Sequence, residues 1–313
     1  MNTFIRAVEY WVPSDDGSLL EFGAGLYGTS RHFEALSREL CFGRGEGLPG
    51  QAWEAGHPIV LKSFEGSYFR RTAEAHAVGI NCGIAIPMYA GDKLSSVLVL
   101  FCGEDTSLAG AIELWCAKPA ISPDMTLVDG HYGNTGDAFE FISRSTVFRK
   151  GTGLPGQAWA AQKPVFLPDL GRSSGFLRAD SAQKVGINRG LAIPYVMADG
   201  SVYVLTFLSA LATPIARRVE IWQPGSTPHT HHTAQLSAGF CEVEGTLVGT
   251  AQAAISPSAE VPVKVALATA LPVVRKRDPS AALANPVIIT DGSMVALPVF
   301  FEGQVTAAVA LYL

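Results

Sequence analysis

Residues 42–61 read FGRGEGLPGQAWEAGHPIVL and residues 148–167 read FRKGTGLPGQAWAAQKPVFL, with 12 identities in 20 positions and no gap. A segment that returns at a fixed offset, here about 106 residues, sets the number of folded units more firmly than chain length does. The agreement continues outside it. Val78-Gly79-Ile80-Asn81-Cys82-Gly83-Ile84-Ala85-Ile86-Pro87 returns as Val185-Gly186-Ile187-Asn188-Arg189-Gly190-Leu191-Ala192-Ile193-Pro194, and Phe33-Glu34 with Ser37-Arg38 as Phe139-Glu140 with Ser143-Arg144. A fainter third copy follows. Val8-Glu9-Tyr10-Trp11 and Ile112-Glu113-Leu114-Trp115 match Val219-Glu220-Ile221-Trp222, while Leu271-Pro272 and Leu297-Pro298 stand where His57-Pro58 and Ile86-Pro87 stand. The third copy lacks the Leu-Pro-Gly-Gln segment, and 26 residues separate Pro272 from Pro298 against 30 between Pro164 and Pro194. The expected units are 1–107, 108–214 and a degenerate 215–313.

Within one unit, period and punctuation set the local structure. Short alternating stretches around Ser14-Asp15-Asp16-Gly17 predict an opening hairpin. Thr29 or Ser30 can cap a helix whose Phe33, Leu36 and Leu40 have the spacing of one buried face. Pro49 suits the first turn of a short helix that carries Trp53 and ends at Gly56. Ile59-Val60-Leu61 then reads as a strand, residues 71–78 as a helix stopped by Gly79, and residues 83–89 and 95–102 as two strands joined by a turn. The expected fold class is α+β, each unit an antiparallel sheet with helices packed on it.

Composition removes several functions. Among 313 residues, 48% are hydrophobic, ample for a core in each unit. The balance of 28 acids against 23 bases, with no basic run longer than Arg275-Lys276-Arg277, gives no footprint for a phosphate backbone, so no nucleic-acid partner is expected. No apolar stretch is long enough to span a bilayer and Met1 to Arg6 form no leader, so the expected protein is cytoplasmic with no membrane partner. Cys41, Cys82, Cys102, Cys116 and Cys241 are odd in number and form no CxxC pair, which argues against a disulfide framework or a zinc site. Three copies also leave no room in these residues for a kinase, cyclase or phosphodiesterase domain.

The order hairpin, helix, Gly-x-Gly-Leu-Pro-Gly-Gln-Ala-Trp, helix, Ala-Ile-Pro strand, turn and apolar strand resembles the GAF domain, a small-molecule-binding and signalling module. The likeness covers residues 1–214 as two copies and 215–313 as a weakened third. Its most specific part is Gly47-Leu48-Pro49-Gly50 with Trp53, repeated as Gly153-Leu154-Pro155-Gly156 with Trp159. One departure stands out: GAF domains usually begin and end with long helices, whereas here the last strand of one copy leads into the next copy within about ten residues.

The resemblance implies a ligand between the sheet and segments 64–82 and 170–189. The candidate ligand-binding residues there are Phe64, Phe69, Arg71, His76 and Cys82 in copy one, and Phe176, Arg178 and Arg189 in copy two. An aromatic face beside a guanidinium can hold a planar or anionic ligand, and it can equally be core packing with a paired Arg. The family's cyclic-nucleotide NKxDE motif is absent. Free-methionine sulfoxide reductases of the family need a nucleophilic and a resolving cysteine, for which Cys82 and Cys102 qualify in copy one; copy two has Arg189 and Ser209 there. The glycine-rich turn lacks the Lys and Ser/Thr of a phosphate loop, and its glycines read as serving positive φ and close packing under Trp53. Trp53 and Trp159 read as core. His57 and Lys163 read as exposed turn residues, and His229-Thr230-His231-His232 as a solvated loop with no metal. No cofactor is implied.

The expected function is therefore a non-enzymatic sensory or regulatory protein that binds an unidentified small molecule in copy one or two and works through a protein partner. The alternatives are a scaffold whose pockets are filled by their own side chains, and the sulfoxide reductase. Copy three is expected to bind nothing. The copies either stand as beads, each hairpin in its own sheet, as the family favours, or close into a ring in which the first hairpin seals the last strand. Either way they pack closely without a flexible linker.

Overall fold

The computed structural model describes all residues except 1–2, 29, 104–109, 174, 198, 226–233, 248–260 and 277–292. The first copy runs β1 (Ile5–Pro13), β2 (Leu19–Leu26), α1 (Arg31–Arg38), β3 (Cys41–Gly43), α2 (Gly47–Ala55), β4 (Ile59–Leu61), α3 (Thr72–Ala77), β5 (Cys82–Ala90) and β6 (Lys93–Cys102). The second repeats it as β7 (Gly110–Ala117), β8 (Asp124–His131), α4 (Gly136–Ser145), β9 (Val147–Arg149), α5 (Gly153–Ala161), β10 (Val165–Leu167), α6 (Ala179–Lys184), β11 (Ile187–Val196) and β12 (Val202–Ala210). The third has β13 (Arg218–Pro224), β14 (Ala234–Cys241), β15 (Gly245–Thr246), α7 (Pro262–Thr269), β16 (Val273–Arg275), β17 (Met294–Phe301) and β18 (Gln304–Tyr312). Each copy folds into one six-stranded antiparallel sheet, ordered β3-β2-β1-β6-β5-β4 in the first and equivalently in the others. The chain is thus a tandem of three α+β units, each an antiparallel sheet with helices packed on it, as expected.

Local chemistry explains most of these elements. Gly56 closes α2 in the left-handed conformation at φ 70°, its N–H bonding the Ala52 carbonyl. Gly47 (φ 55°) lies so close to Phe42 that a Cβ would sit 2.5 Å from the ring, and one on Gly50 would sit 2.1 Å from the Gly43 carbonyl oxygen. Gly153 and Gly156 repeat both contacts against Phe148 and Arg149. The ring over these glycines is therefore Phe42 or Phe148, not the expected Trp53. Trp159 is core; Trp53 is only half-buried against it. The expected α1 face also changes: Leu40 falls beyond the helix, whose buried residues are Phe33 and Ser37. Thr29, one of the two expected caps, lies outside the described residues.

Copy three, despite lacking the glycine-rich motif, builds the same helix from a different sequence. In α7, Pro262 occupies the first turn and Ala270 takes the closing left-handed conformation (φ 59°), bonding the Ala266 carbonyl as Gly56 bonds Ala52. Ala52, Ala158 and Ala266 are all fully buried, because a helix this close to its sheet tolerates only a methyl group there.

Both faces of each sheet are covered. Helices cover one face and make a separate core in each copy, such as Trp11, Phe33, Phe42, Phe64 and Phe101 in the first. The opposite faces form a single apolar cluster shared by all three copies, including Ile84 and Leu100, Ile193 and Phe207, and Leu297 and Val309. The shared core explains the burial of all of β7 and of the runs 82–88 in β5 and 96–102 in β6, since a strand sandwiched on both sides has no polar face.

The copies follow one another cyclically. The β4 edge of copy one packs on β7 and β8 of copy two, with Lys62 Nζ 2.5 Å from Asp129 Oδ1. In copy two, Phe166 of β10 meets Phe240 of β14 in copy three at 5.9 Å between ring centroids. The β16 strand of copy three returns to β2 of copy one, and the Lys276 ammonium pairs with Glu34. Three equivalent head-to-tail contacts thus close the set. The opening hairpins remain in their own sheets, as in the bead arrangement, while the Phe4 N–H bonds the Pro214 carbonyl at 2.8 Å. The expected close packing is present, but no hairpin is exchanged to achieve it.

Candidate functional site

The space between sheet and helices in copy one is centred on Glu9 of β1. Glu9 is fully buried beside Trp11, whose indole N–H donates to Glu9 Oε2 at 3.2 Å. Tyr27 and Ser37 hydroxyls each donate to Oε1 at 2.8 Å. The Arg71 guanidinium, 4% exposed, straddles the carboxylate at 2.5 and 3.0 Å and also donates to Ser37 Oγ. A buried carboxylate needs a matched cation and filled lone pairs, and this one has both. Burial, then the Glu9 charge, pushes the Tyr27 phenol far above its ordinary value of 10.0.

Aromatic rings enclose the pair. The Arg71 guanidinium lies 4.7 Å from the Phe33 ring centre, 5.3 Å from Phe69 and 5.6 Å from Phe101. Phe64 stacks on Phe69 at 3.8 Å. The candidates Phe64, Phe69 and Arg71 are therefore brought together, but against one another and the sheet. Copy two repeats the arrangement: Arg178 grips Glu113 at 2.5 and 2.7 Å, meets Ser143 Oγ, and lies 5.5 Å from the Phe176 ring centre. Copy three keeps the carboxylate and indole, Trp222 donating to Glu220 at 2.8 Å. Its cation is Arg218 from the same strand, 2.6 Å away, with the Tyr312 hydroxyl at 3.0 Å. The Glu-x-Trp repeat, which marks this centre in all three copies, is visible in the sequence; its role needed the partner more than 60 residues away.

The other candidates lie elsewhere. His76 is exposed on α3. Cys82 and Cys102 are register partners, but on the sheet face turned toward the shared core. Both are fully buried and neither is in a disulfide, Cys82 Sγ lying 3.6 Å from the Cys102 carbonyl oxygen; burial pushes the Cys102 thiol well above its ordinary value. Arg189, at the position of Cys82, reaches out of copy two to grip Glu242 of copy three at 3.1 Å through two nitrogens, with Phe240 4.7 Å away. It joins copies and does not meet Arg178. The three-histidine segment 229–232 lies outside the described residues, as does part of the stretch between Pro272 and Pro298. Among the described residues no group of three or more His, Cys, Asp or Glu could hold a metal.

A cavity of about 730 Å³ lies where the turns β5–β6, β11–β12 and β17–β18 of the three copies converge. Its walls include Tyr89, Tyr195, Tyr203 and Phe300, with Asp92 and Glu302 from two of the turns. His57 stacks on Tyr203 across the boundary of copies one and two, 4.9 Å between centroids and 15° from parallel. Both His57 and Lys163 are half-buried, so neither is the exposed turn residue the sequence suggested.

No protein-family model matches the chain, and no curated protein matches it. Among solved structures it is similar to the free methionine-R-sulfoxide reductase of Neisseria meningitidis, at 14% identity and a TM-score of 0.25, over 31% of this chain and 52% of that one. It is similar to the A. aeolicus nlh2 GAF domain at 20% identity and TM-score 0.26, over 32% and 58% of the two chains. The GAF domain of a Bacillus halodurans sensor histidine kinase gives 13% and 0.28, over 32% and 66%. Each match covers about one third of this chain, the share of a single copy. A likeness this distant carries no function across. Among the described residues no helix is long and apolar enough to cross a membrane.

Proposed function

We propose that the chain is a non-enzymatic regulatory scaffold in which the interiors of copies one and two are structural, and which works through a protein partner as one body of three GAF-like units. The observation that carries this reading is the Arg71–Glu9 pair and its copy, Arg178–Glu113. Where a ligand would lie between sheet and helix, the chain's own guanidinium satisfies a buried carboxylate and its own rings cover it. The reductase reading is disfavoured by the place of its two thiols, both fully buried on the far sheet face, and by burial, which pushes the Cys102 thiol up.

The test is native mass spectrometry of gently purified protein, wild type beside Arg71→Met and Arg178→Met, with folding followed by circular dichroism. The expected result is no small molecule whose retention depends on either arginine. A stoichiometric small molecule lost from a folded Arg71→Met variant would overturn the reading. So would thiol-dependent reduction of free methionine sulfoxide by wild type that is abolished in Cys82→Ser.

A further inference from the structure

The cavity at the junction of the three copies belongs to none of the spaces discussed for copies one and two. About 730 Å³ lies well inside the range of roughly 300–1,000 Å³ typical of small-molecule sites, which favour boundaries between units. Three features specify what would fit. The first is the wall, with Tyr89 from copy one, Tyr195 and Tyr203 from copy two and Phe300 from copy three, so that every copy contributes an aromatic ring. The second is the sign of the rim. Asp92, Asp199 and Glu302 stand at the three turns, and no Lys or Arg is among the described lining residues. Asp199 is partly engaged, accepting from the Ser201 N–H at 2.8 Å and its hydroxyl at 3.0 Å, and the Lys118 charge acts on it; Asp92 and Glu302 are exposed. The third is Tyr195. It is 8% exposed, so its ring belongs to the buried part of the wall and not to the rim.

We infer that this junction is a binding site for a small organic cation with an apolar or aromatic body. Aromatic rings attract a cation through their negative quadrupole, and the rim carboxylates complement its charge. An anion would meet three carboxylates, and no Lys or Arg is among the described lining residues to pair with it. Because all three copies contribute, occupancy would depend on the closed assembly and not on any copy alone. The inference does not rest on the proposed role of Arg71 and Arg178, which lie in the separate helix-side cores.

The test uses the full chain and three probes sharing one ring: phenethylammonium, 2-phenylethanol and phenylacetate, titrated by calorimetry at low salt. Phenethylammonium should bind at least tenfold more tightly than either of the others. The exposed double variant Asp92→Asn/Glu302→Gln should weaken the ammonium at least fivefold and leave 2-phenylethanol unchanged. The inference is overturned if none of the probes binds in the millimolar range, if phenylacetate or 2-phenylethanol binds as well as the ammonium, or if the ammonium binds the double variant as it binds wild type.

Discussion

Arg71 and Glu9 show how one residue's energetics depend on another 62 positions away. Removing either alone strands a buried charge, so Arg71→Met should destabilise the protein by about 3–5 kcal/mol in denaturant unfolding. The double variant Glu9→Leu/Arg71→Met should recover much of that loss, since an apolar pair of similar volume often replaces a buried ion pair without penalty. Recovery of nothing would mean the centre does more than fill space. Trp159→Ala should cost about 3–5 kcal/mol as a core truncation, and Trp53→Ala distinctly less, because Trp53 is half-exposed. The buried tyrosines set the alkaline limit. Burial first, then a neighbouring Glu, raises Tyr27, Tyr132 and Tyr312 far above 10.0, and burial with Cys116 pushes Tyr203 up to about 12. Above pH 10 the unfolded chain has lost protons that the folded chain keeps, so stability is full below that pH and falls as pH rises beyond it. In an alkaline titration these phenols should ionise together with loss of the circular dichroism signal. Ionisation near pH 10 in a still folded chain would contradict their burial.

Among the elements, the three short helices α2, α5 and α7 form a natural substitution series. All three close with a left-handed residue, but only the first places Gly there; Gln162 and Ala270 adopt φ 54° and 59°. A side chain in that conformation costs roughly 1–2 kcal/mol, partly offset by glycine's greater freedom in the unfolded chain. Gln162→Gly and Ala270→Gly should therefore each raise the unfolding midpoint slightly, by about 0.5–1 kcal/mol. The opposite sign is expected for Gly156→Ala, whose Cβ would lie 2.2 Å from the Arg149 carbonyl oxygen and force the helix off its loop. Sequence reading found α2 and α5 through their shared motif and missed α7. What the position requires is a backbone shape and a small buried residue at Ala266, and those can be met without the motif. The short β3 also escaped notice, since three residues carry too little periodicity to register.

The whole molecule is held by the shared core, so its copies should not be separable. Copy one alone, residues 1–103, would expose Ile84, Ile86, Leu98 and Leu100 on a sheet back that the other copies now cover. Expressed by itself it should aggregate or self-associate in size-exclusion chromatography. A stable, monomeric copy one would show that the shared core contributes little. Deleting residues 1–28 should likewise unfold more than copy one, because β1 contributes Ile5 and Val8 to the common cluster. The surface pairs Lys62–Asp129 and Lys276–Glu34 are partly exposed and worth little alone; the largely buried grip of Arg189 on Glu242 matters more.

The repeat by itself determined the number of units, the antiparallel sheet with helices on it, and the glycine-rich helix start, because each depends on residues near one another in the chain. It also placed Phe64, Phe69 and Arg71 in one neighbourhood. Only the tertiary structure decided what they do there. Glu9, which turns Arg71 from a possible ligand contact into half of a buried pair, is remote in sequence and close in space. Strand alternation could not say which apolar face meets helices and which meets another copy, since both are apolar. That ambiguity hid Cys82 and Cys102 on the far side of the sheet, and with them the shared core and the junction cavity.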